Sequence, residues 1–231
     1  MDEPNKLAQK ILGRVFGEQL QVQAQEFFDR YLQDIKQPVK VQSALTGKPY
    51  YTSMPGYDSY VGQQEVFDRG EVSEWMMPKV DIGSLDELNE LLTRFDFMQA
   101  SRTYTNSNNV YRSDDVGESH HIYDSLNVIK SSYIVRSSWI WESEYLFGCM
   151  RSGESTHCIV LVEGTQCTDS YRVFSSRKVT RSMFIKSCYD VTDCLWCAHI
   201  SGKQYCIANM QYTKDEYEVL KARILKWVFE T

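Results

Sequence analysis

The stretch that decides the fold runs from Ser101 to Cys149: SRTYTNSNNVYRSDDVGESHHIYDSLNVIKSSYIVRSSWIWESEYLFGC. Every sixth residue from Ser101 is small, giving Ser107, Ser113, Ser119, Ser125, Ser131, Ser137, Ser143 and then Cys149. Three residues out of phase stands an aliphatic column of Val110, Val116, Ile122, Val128, Ile134, Ile140 and Leu146. A period of six is neither the 3.6 of a helix nor the plain alternation of one long strand. Short strands joined by tight corners account for it, with one large and one small residue turned inward on each side. The pattern predicts a mainly β chain, a parallel β-solenoid in which equivalent residues of successive coils stack at the ~4.8 Å strand spacing. Buried serine hydroxyls in such a stack bond to backbone or to the serine of the next coil.

Toward the C terminus the phase of the columns slips by three residues around Ser152-Gly153-Glu154-Ser155. After it the small column reads Cys158, Gly164, Ser170, Ser176, Ser182, Cys188, Cys194 and Cys206, and the larger one Leu161, Cys167, Val173, Val179, Ile185, Val191 and Cys197. Alternate hexads differ here, which makes the unit a coil of about twelve residues. The slip reads as a loop at Arg151, Gly153 and Glu154 pushed out onto the surface, either a neutral insertion or a partner contact. All seven cysteines lie on the two columns, and their odd number excludes a fully paired disulfide framework. Cys194-x-x-Cys197, with His199 and Cys206 beyond, has the look of a zinc-ligand run. Column membership explains these thiols without a metal, so no metal and no other cofactor is expected. His157-Cys158 is a poor nucleophile pair, because neighbours on a strand point to opposite faces.

A thin coil cannot stand by itself. Ordering twelve backbone residues costs ~12–24 kcal/mol, while burying two or three apolar side chains returns ~1.5–3 kcal/mol each. Stacking must supply the rest, and the open ends need covers. Thr213-Lys214-Asp215-Glu216 is a capping box that opens a helix carrying Tyr217, Leu220, Ile224, Trp227 and Val228 on one face. Ser84-Leu85-Asp86-Glu87 opens another, with Leu85, Leu88, Leu91, Leu92 and Phe95, expected to cover the first coil. From Asn5 to Lys36, helical spacing of Leu7, Ile11, Val15, Phe27 and others predicts a long amphipathic helix. It is either a docking arm for a partner or an element that packs on the chain's own body or breaks near Gly13 and Gly17. The organisation is then 1–37 amphipathic helix, 38–98 a small β-rich bridging region with the Ser84 helix, 99–212 solenoid, and 213–231 capping helix.

Composition narrows the function. With 25 Lys+Arg against 31 Asp+Glu the net charge is −6, which points away from nucleic acid and anionic lipid. No apolar run approaches the ~20 residues of a membrane span, and the stretch MDEPNKLAQK reads with neither the basic nor the apolar region of a signal peptide. The acids Asp114, Asp115, Glu118, Asp124, Glu142 and Glu144 are scattered rather than gathered in a groove, which argues against a carbohydrate-active enzyme. The expectation is a non-enzymatic structural or interaction protein whose partners are protein subunits of a larger assembly, with no catalytic residues.

KQYCIANMQYTKDEYEVLKARI, residues 203–224, resembles the end of an uncharacterised Cys- and Ser-rich hexad-repeat family of candidate-phylum bacteria and bacteriophages, which closes on KxYCIxNxQYxKEEY. SALTGKPYYT resembles that family's LTGK turn, so the likeness spans roughly Val39 to Ile224. The family's N-terminal zinc-ribbon-like CxxC pairs are missing, since no cysteine precedes Cys149. The resemblance implies no activity. It does imply a virion or virion-assembly component, with a cytosolic bacterial binding module as the alternative, and hence a place in the virion or the cytoplasm.

Overall fold

In a computed structural model, which describes residues 2–17, 22–70, 75–153, 159–162, 164–165, 171–174 and 177–230, the hexads form a parallel β-solenoid of twelve-residue coils. Ahead of it lie α1 (Glu3–Phe16), α2 (Ala24–Tyr31), β1 (Val39–Gln42), β2 (Pro49–Thr52), β3 (Tyr60–Gly62), α3 (Gln63–Asp68), α4 (Leu85–Leu92) and β4 (Met98–Ala100). The coils follow as β5 (Asn108–Tyr111), β6 (Asp114–Gly117), β7 (His120–Tyr123), β8 (Leu126–Ile129), β9 (Ser132–Val135), β10 (Ser138–Trp141), β11 (Glu144–Phe147) and β12 (Met150–Gly153). Then come β13 (Ile159–Val162), β14 (Gly164–Thr165), β15 (Tyr171–Phe174), β16 (Arg177–Thr180), β17 (Met183–Lys186) and β18 (Tyr189–Leu195). The chain closes with β19 (Gln204–Ile207), β20 (Met210–Gln211) and α5 (Lys214–Glu230).

Pairing joins residues twelve apart. Ile122 stands between Val110 and Ile134, and Val128 between Val116 and Ile140. These side chains, with Leu146, Val179, Ile185 and Val191, form the inner core together with Cys149, Cys188, Cys194, Cys197 and Cys206. Val173 pairs between Leu161 and Ile185. Two strands per coil were expected; the backbone, however, turns four times per coil. Every third residue from Asn106 to Tyr145, and again from Lys178 to His199, has positive φ although none is glycine. A left-handed residue of this kind costs ~1–2 kcal/mol, so each must be held by its neighbours. Every second one is held through its N–H, which donates to the carbonyl thirteen residues earlier, as Arg136 does to Tyr123 and Glu142 to Ile129.

The small column is made of hydroxyls for a definable reason. The N–H of Ser137 donates to Ser125 Oγ of the coil before at 3.1 Å, and Ser125 Oγ donates to the Tyr123 carbonyl at 2.7 Å. Ser107, Ser113, Ser119 and Ser131 accept from the serine twelve residues on in the same way, at 3.1 Å each. Ser143, whose N–H is the donor to Ser131, donates in turn to the Trp141 carbonyl at 2.7 Å. Cys149 ends the run by donating its N–H to Ser137 Oγ at 3.0 Å. Each hydroxyl thus closes a backbone group that the tight corner takes out of the sheet ladder.

The expected surface loop is corrected. Arg151 and Gly153 lie in strand β12, where Met150, Ser152 and Gly153 pair with Ser138, Ile140 and Trp141, and Ser152 and Gly153 pair onward with Gly164 and Thr165, still twelve apart. Nothing is inserted along this side. The corner that holds Ser107, Ser119, Ser131 and Ser143 holds Val179 and Val191 farther on, Val179 standing six twelve-residue coils after Ser107. The corner of Val110, Ile122, Ile134 and Leu146 holds Ser182, Cys194 and Cys206. Large and small residues have exchanged corners. A coil with four inward positions is filled by a large pair and a small pair, and either assignment fills it. Glu154, Cys158 and Cys167 lie outside the described residues.

One outer column is apolar and is covered by the N-terminal helices. Tyr123, Val135, Phe147, Met183, Leu195 and Ile207 are spaced by multiples of twelve and form one buried cluster with Ile11, Val15 and Phe27, against which Leu7 packs. The docking-arm reading of these four residues is therefore corrected: they cover the solenoid of their own chain, where their apolar faces leave water. The long helix is present as α1, but the helical pattern resumes separately as α2. Gly17, with φ of 90°, ends α1 and donates to the Gly13 carbonyl at 2.9 Å. Leu32 packs so closely over left-handed Gly148 that a Cβ there would stand 2.3 Å from Leu32 Cδ1.

The caps also divide differently from expectation. Thr213 and Glu216 form their capping box, with Thr213 N–H donating to Glu216 Oε2 at 2.9 Å, and Tyr217 of α5 is buried against the end of the stack beside Tyr205. Ser84 caps α4, its Oγ accepting from Glu87 N–H at 3.2 Å, but the Glu87 side chain accepts from Gly83 N–H at 2.8 Å instead of closing the box on Ser84, and α4 buries no residue and does not cover the first coil. That cover is the bridging region: β3 pairs with β4 in parallel, and Gln63 Oε1 accepts from Thr103 N–H at 2.6 Å. The Asp114 carboxylate binds both the N–H and Oγ of Ser53 at 2.7 Å, and three nitrogens of Arg102 at 2.9, 3.1 and 2.9 Å.

Candidate functional site

Outward residues stack on their equivalents twelve positions away. Ion pairs join Arg102 to Asp114 at 2.9 Å, Arg112 to Asp124 at 2.6 Å and Arg181 to Asp193 at 2.8 Å. Rings stack in the same way, Tyr111 on Tyr123, His121 on Tyr133, Tyr133 on Tyr145, and Phe184 on Trp196 with centroids 4.0 Å apart. Such ladders hold coil to coil and leave their members little freedom for chemistry.

Strand β10 breaks the pattern. Its inner residues Ser138 and Ile140 are buried, while Trp139 and Trp141 turn outward and are 54% and 42% exposed. Ile129, the register partner of Trp141, is 51% exposed, and Gly153 follows Trp141 on the other side. Arg151, also exposed, lies on β12 between the register partners of Ser138 and Ile140. The result is a group of exposed apolar side chains, with Trp139 itself at a left-handed turn, on a strand whose backbone is fixed by pairing on both sides. Large exposed rings on a rigid surface mark contact sites, because tryptophan loses little conformational entropy and much water on docking. Further exposed apolar residues lie before, on and after α4: Met76, Val80 and Ile82, then Leu85 and Leu88, then Phe95.

The residues singled out from sequence separate into three sets. Among the described side chains the serine and aliphatic columns are buried from Ser113 and Val116 onward, with Ser107 and Val110 half-buried at the first coil. Leu7, Ile11, Val15 and Phe27 belong to the core under α1 and α2. Arg151 and Gly153 adjoin the tryptophan pair, on a strand rather than a loop. The tryptophans themselves escaped the sequence reading, although the signal was present: two large rings flank Ile140 at positions that the columns leave for solvent.

The five described cysteines, Cys149, Cys188, Cys194, Cys197 and Cys206, are buried along the inner corners. Cys188 donates to carbonyls of Lys186 and Cys197 at 3.4 Å each, and Cys194 to that of Thr192 at 3.4 Å. The hydrogen bond to Cys197, then burial, pushes the Cys194 thiol well up, and burial raises Cys188 and Cys206. These three thiols are held protonated, which makes them poor nucleophiles and poor metal ligands, whereas the same hydrogen bond from Cys194 lowers the buried Cys197 thiol to about 7. Among the described residues no group of three or more His, Cys, Asp or Glu is placed to hold a metal ion. His157 and Cys158 lie outside the described residues.

No family profile, no curated protein and no solved structure matches this chain. Among the described residues no helix is long and apolar enough to cross a membrane.

Proposed function

We propose that this chain is a non-enzymatic interaction protein that docks onto protein partners through the outer face of β8 and β10. The observation that carries the reading is the exposed Trp139, Trp141 and Ile129 patch on a rigid solenoid face. Solenoids present extended surfaces of this kind to partners, and aromatic anchors supply most of the binding energy at protein interfaces. The resemblance of residues 203–224 to phage-borne sequences supports a virion or virion-assembly component as the concrete form of the reading, with a cytoplasmic binding module as its alternative.

A double variant, Trp139→Ser with Trp141→Ser, tests the docking face. Stability should change by no more than about 0.5 kcal/mol, as for other exposed positions. Cosedimentation with large particles from the native source should fall at least tenfold. Undiminished cosedimentation of the folded double variant would remove this face from the proposal, and a wild-type chain that never sediments with particles favours the free binding module.

A further inference from the structure

The outer face of β6, β8, β10 and β12 carries an order that an arbitrary partner would not require. Register pairs set Gly117, Ile129, Trp141 and Gly153 in one column, two large apolar residues between two glycines. From either end the column runs small, large, large, small. Beside it stand Asp115, Asn127, Trp139 and Arg151, twelve residues apart, with φ of 63°, 53°, 60° and 56°. A shared backbone conformation sends equivalent side chains off successive coils in the same direction. This second column begins acidic and ends basic. Arg102, which also lies near Asp115, gives Nε and Nη2 to Asp114 at 3.1 and 2.9 Å, so the Asp115 end keeps a net negative charge.

A two-fold axis lying in the face between β8 and β10, parallel to these strands, turns each column end for end onto its own copy. Ile129 then meets Trp141 of the second copy at the centre, Trp139 meets Asn127, and Arg151 meets Asp115, each contact occurring twice as an isologous interface requires. The indole N–H of Trp139 is a donor and the Asn127 amide oxygen an acceptor. At the ends, the exposed Tyr104 lies against Gly117 and comes opposite Gly153 of the second copy, where no side chain stands in its way. Parallel rods would instead set one column against the other, with Arg151 on Gly153 and Asp115 on Gly117. Both charges would then lack an opposite.

We propose that the partner of this face is a second copy of the chain, paired antiparallel about that axis. The inference rests on the reading of the face as a protein-docking surface and names its occupant. The four strands span three steps, ~14 Å, which places the contact in the small, transient class of interfaces. The exposed rings supply the affinity and the terminal charges set the direction.

Sedimentation equilibrium of the full chain over a wide range of concentration should show a reversible monomer–dimer equilibrium, and Trp141→Ser should weaken it by about tenfold or more. Arg151→Asp and Asp115→Arg should each weaken pairing as well, because each homodimer sets like charges opposite one another. An equimolar mixture of the two should dimerise as wild type does, since every contact is again acid to base. If a charge variant fails to fold, Ile129→Glu replaces it and should abolish the dimer. A wild-type chain that stays monomeric, a mixture that does not recover, or a dimer indifferent to Ile129→Glu would overturn the proposal. Cosedimentation separates this from the docking reading. A monomeric chain whose cosedimentation still depends on Trp139 and Trp141 overturns only the second copy as occupant, whereas a dimer whose tryptophan variants cosediment undiminished removes docking onto particles and leaves the pairing in place.

Discussion

A serine on the inner column answers two backbone groups at once, which makes its hydroxyl worth more than its size. In Ser125→Ala the Ser137 N–H loses its acceptor inside a dry corner, and the loss should be about 1–3 kcal/mol, read as a lower midpoint in urea. Ser125→Cys should cost less, as Cys149 holds the equivalent corner two coils on. Asp114 carries a different kind of dependence. Burial works against its charge, but hydrogen bonds from the Arg102 side chain and backbone and from Ser53 outweigh that and hold its carboxyl below the ordinary value. The unfolded chain titrates the same group near ~3.9, so between the two values the unfolded state binds more protons. The contribution of Asp114 is complete above the unfolded value and is lost as pH falls through the folded one. Thermal melts of wild type should decline on acidification below about pH 4 more steeply than those of Asp114→Asn, which starts lower. Parallel slopes would show that this carboxylate does not fasten the bridging region to the first coil.

Elements reveal where local pattern ends and tertiary choice begins. Both N-caps were legible, and both form, Thr213 with its full box and Ser84 with the cap alone, because a cap is decided within four residues. What each helix covers was not legible, because α4 and α5 each carry apolar residues on one face and only the assembled stack decides which is used. The N-terminal pattern had the same limit: Ile11 and Phe27 read as one apolar face whether the surface beneath belongs to the chain or to a partner. Removing residues 1–36 should therefore expose Tyr123, Val135 and Phe147 and produce a chain that melts several degrees lower and aggregates on concentration. A truncated chain that stays monodisperse by light scattering, with an unchanged melt, would restore the docking-arm reading. The apparent slip near Ser152 misled for a plain reason. Six-residue columns cannot distinguish three inserted residues from an exchange of corners, and only the register of β12 with β14 does.

At the scale of the molecule, the period of twelve organises inner core, serine chain, ion pairs and ring stacks together, and the solenoid was readable because all four obey it. The tryptophan pair was harder to see, since it departs from columns rather than joining one. The end-for-end order around it was beyond reading, as the columns can be compared only once β6, β8, β10 and β12 are set in register. The recurrent left-handed backbone carries one more consequence. Positive φ is the natural territory of mirror-image amino acids, so every third site of this solenoid is shaped for the enantiomer of what translation can place there. A chain made by ligation with D-Tyr at position 133 should fold to the same coils and resist denaturation more than the all-L chain by up to ~1–2 kcal/mol, whereas D-Ile at position 134 should prevent folding. Equal harm from both would show that handedness is not local to these sites. If they differ, a ribosomal product of one chirality has folded into a frame that a mixed-chirality polymer would fill with less strain.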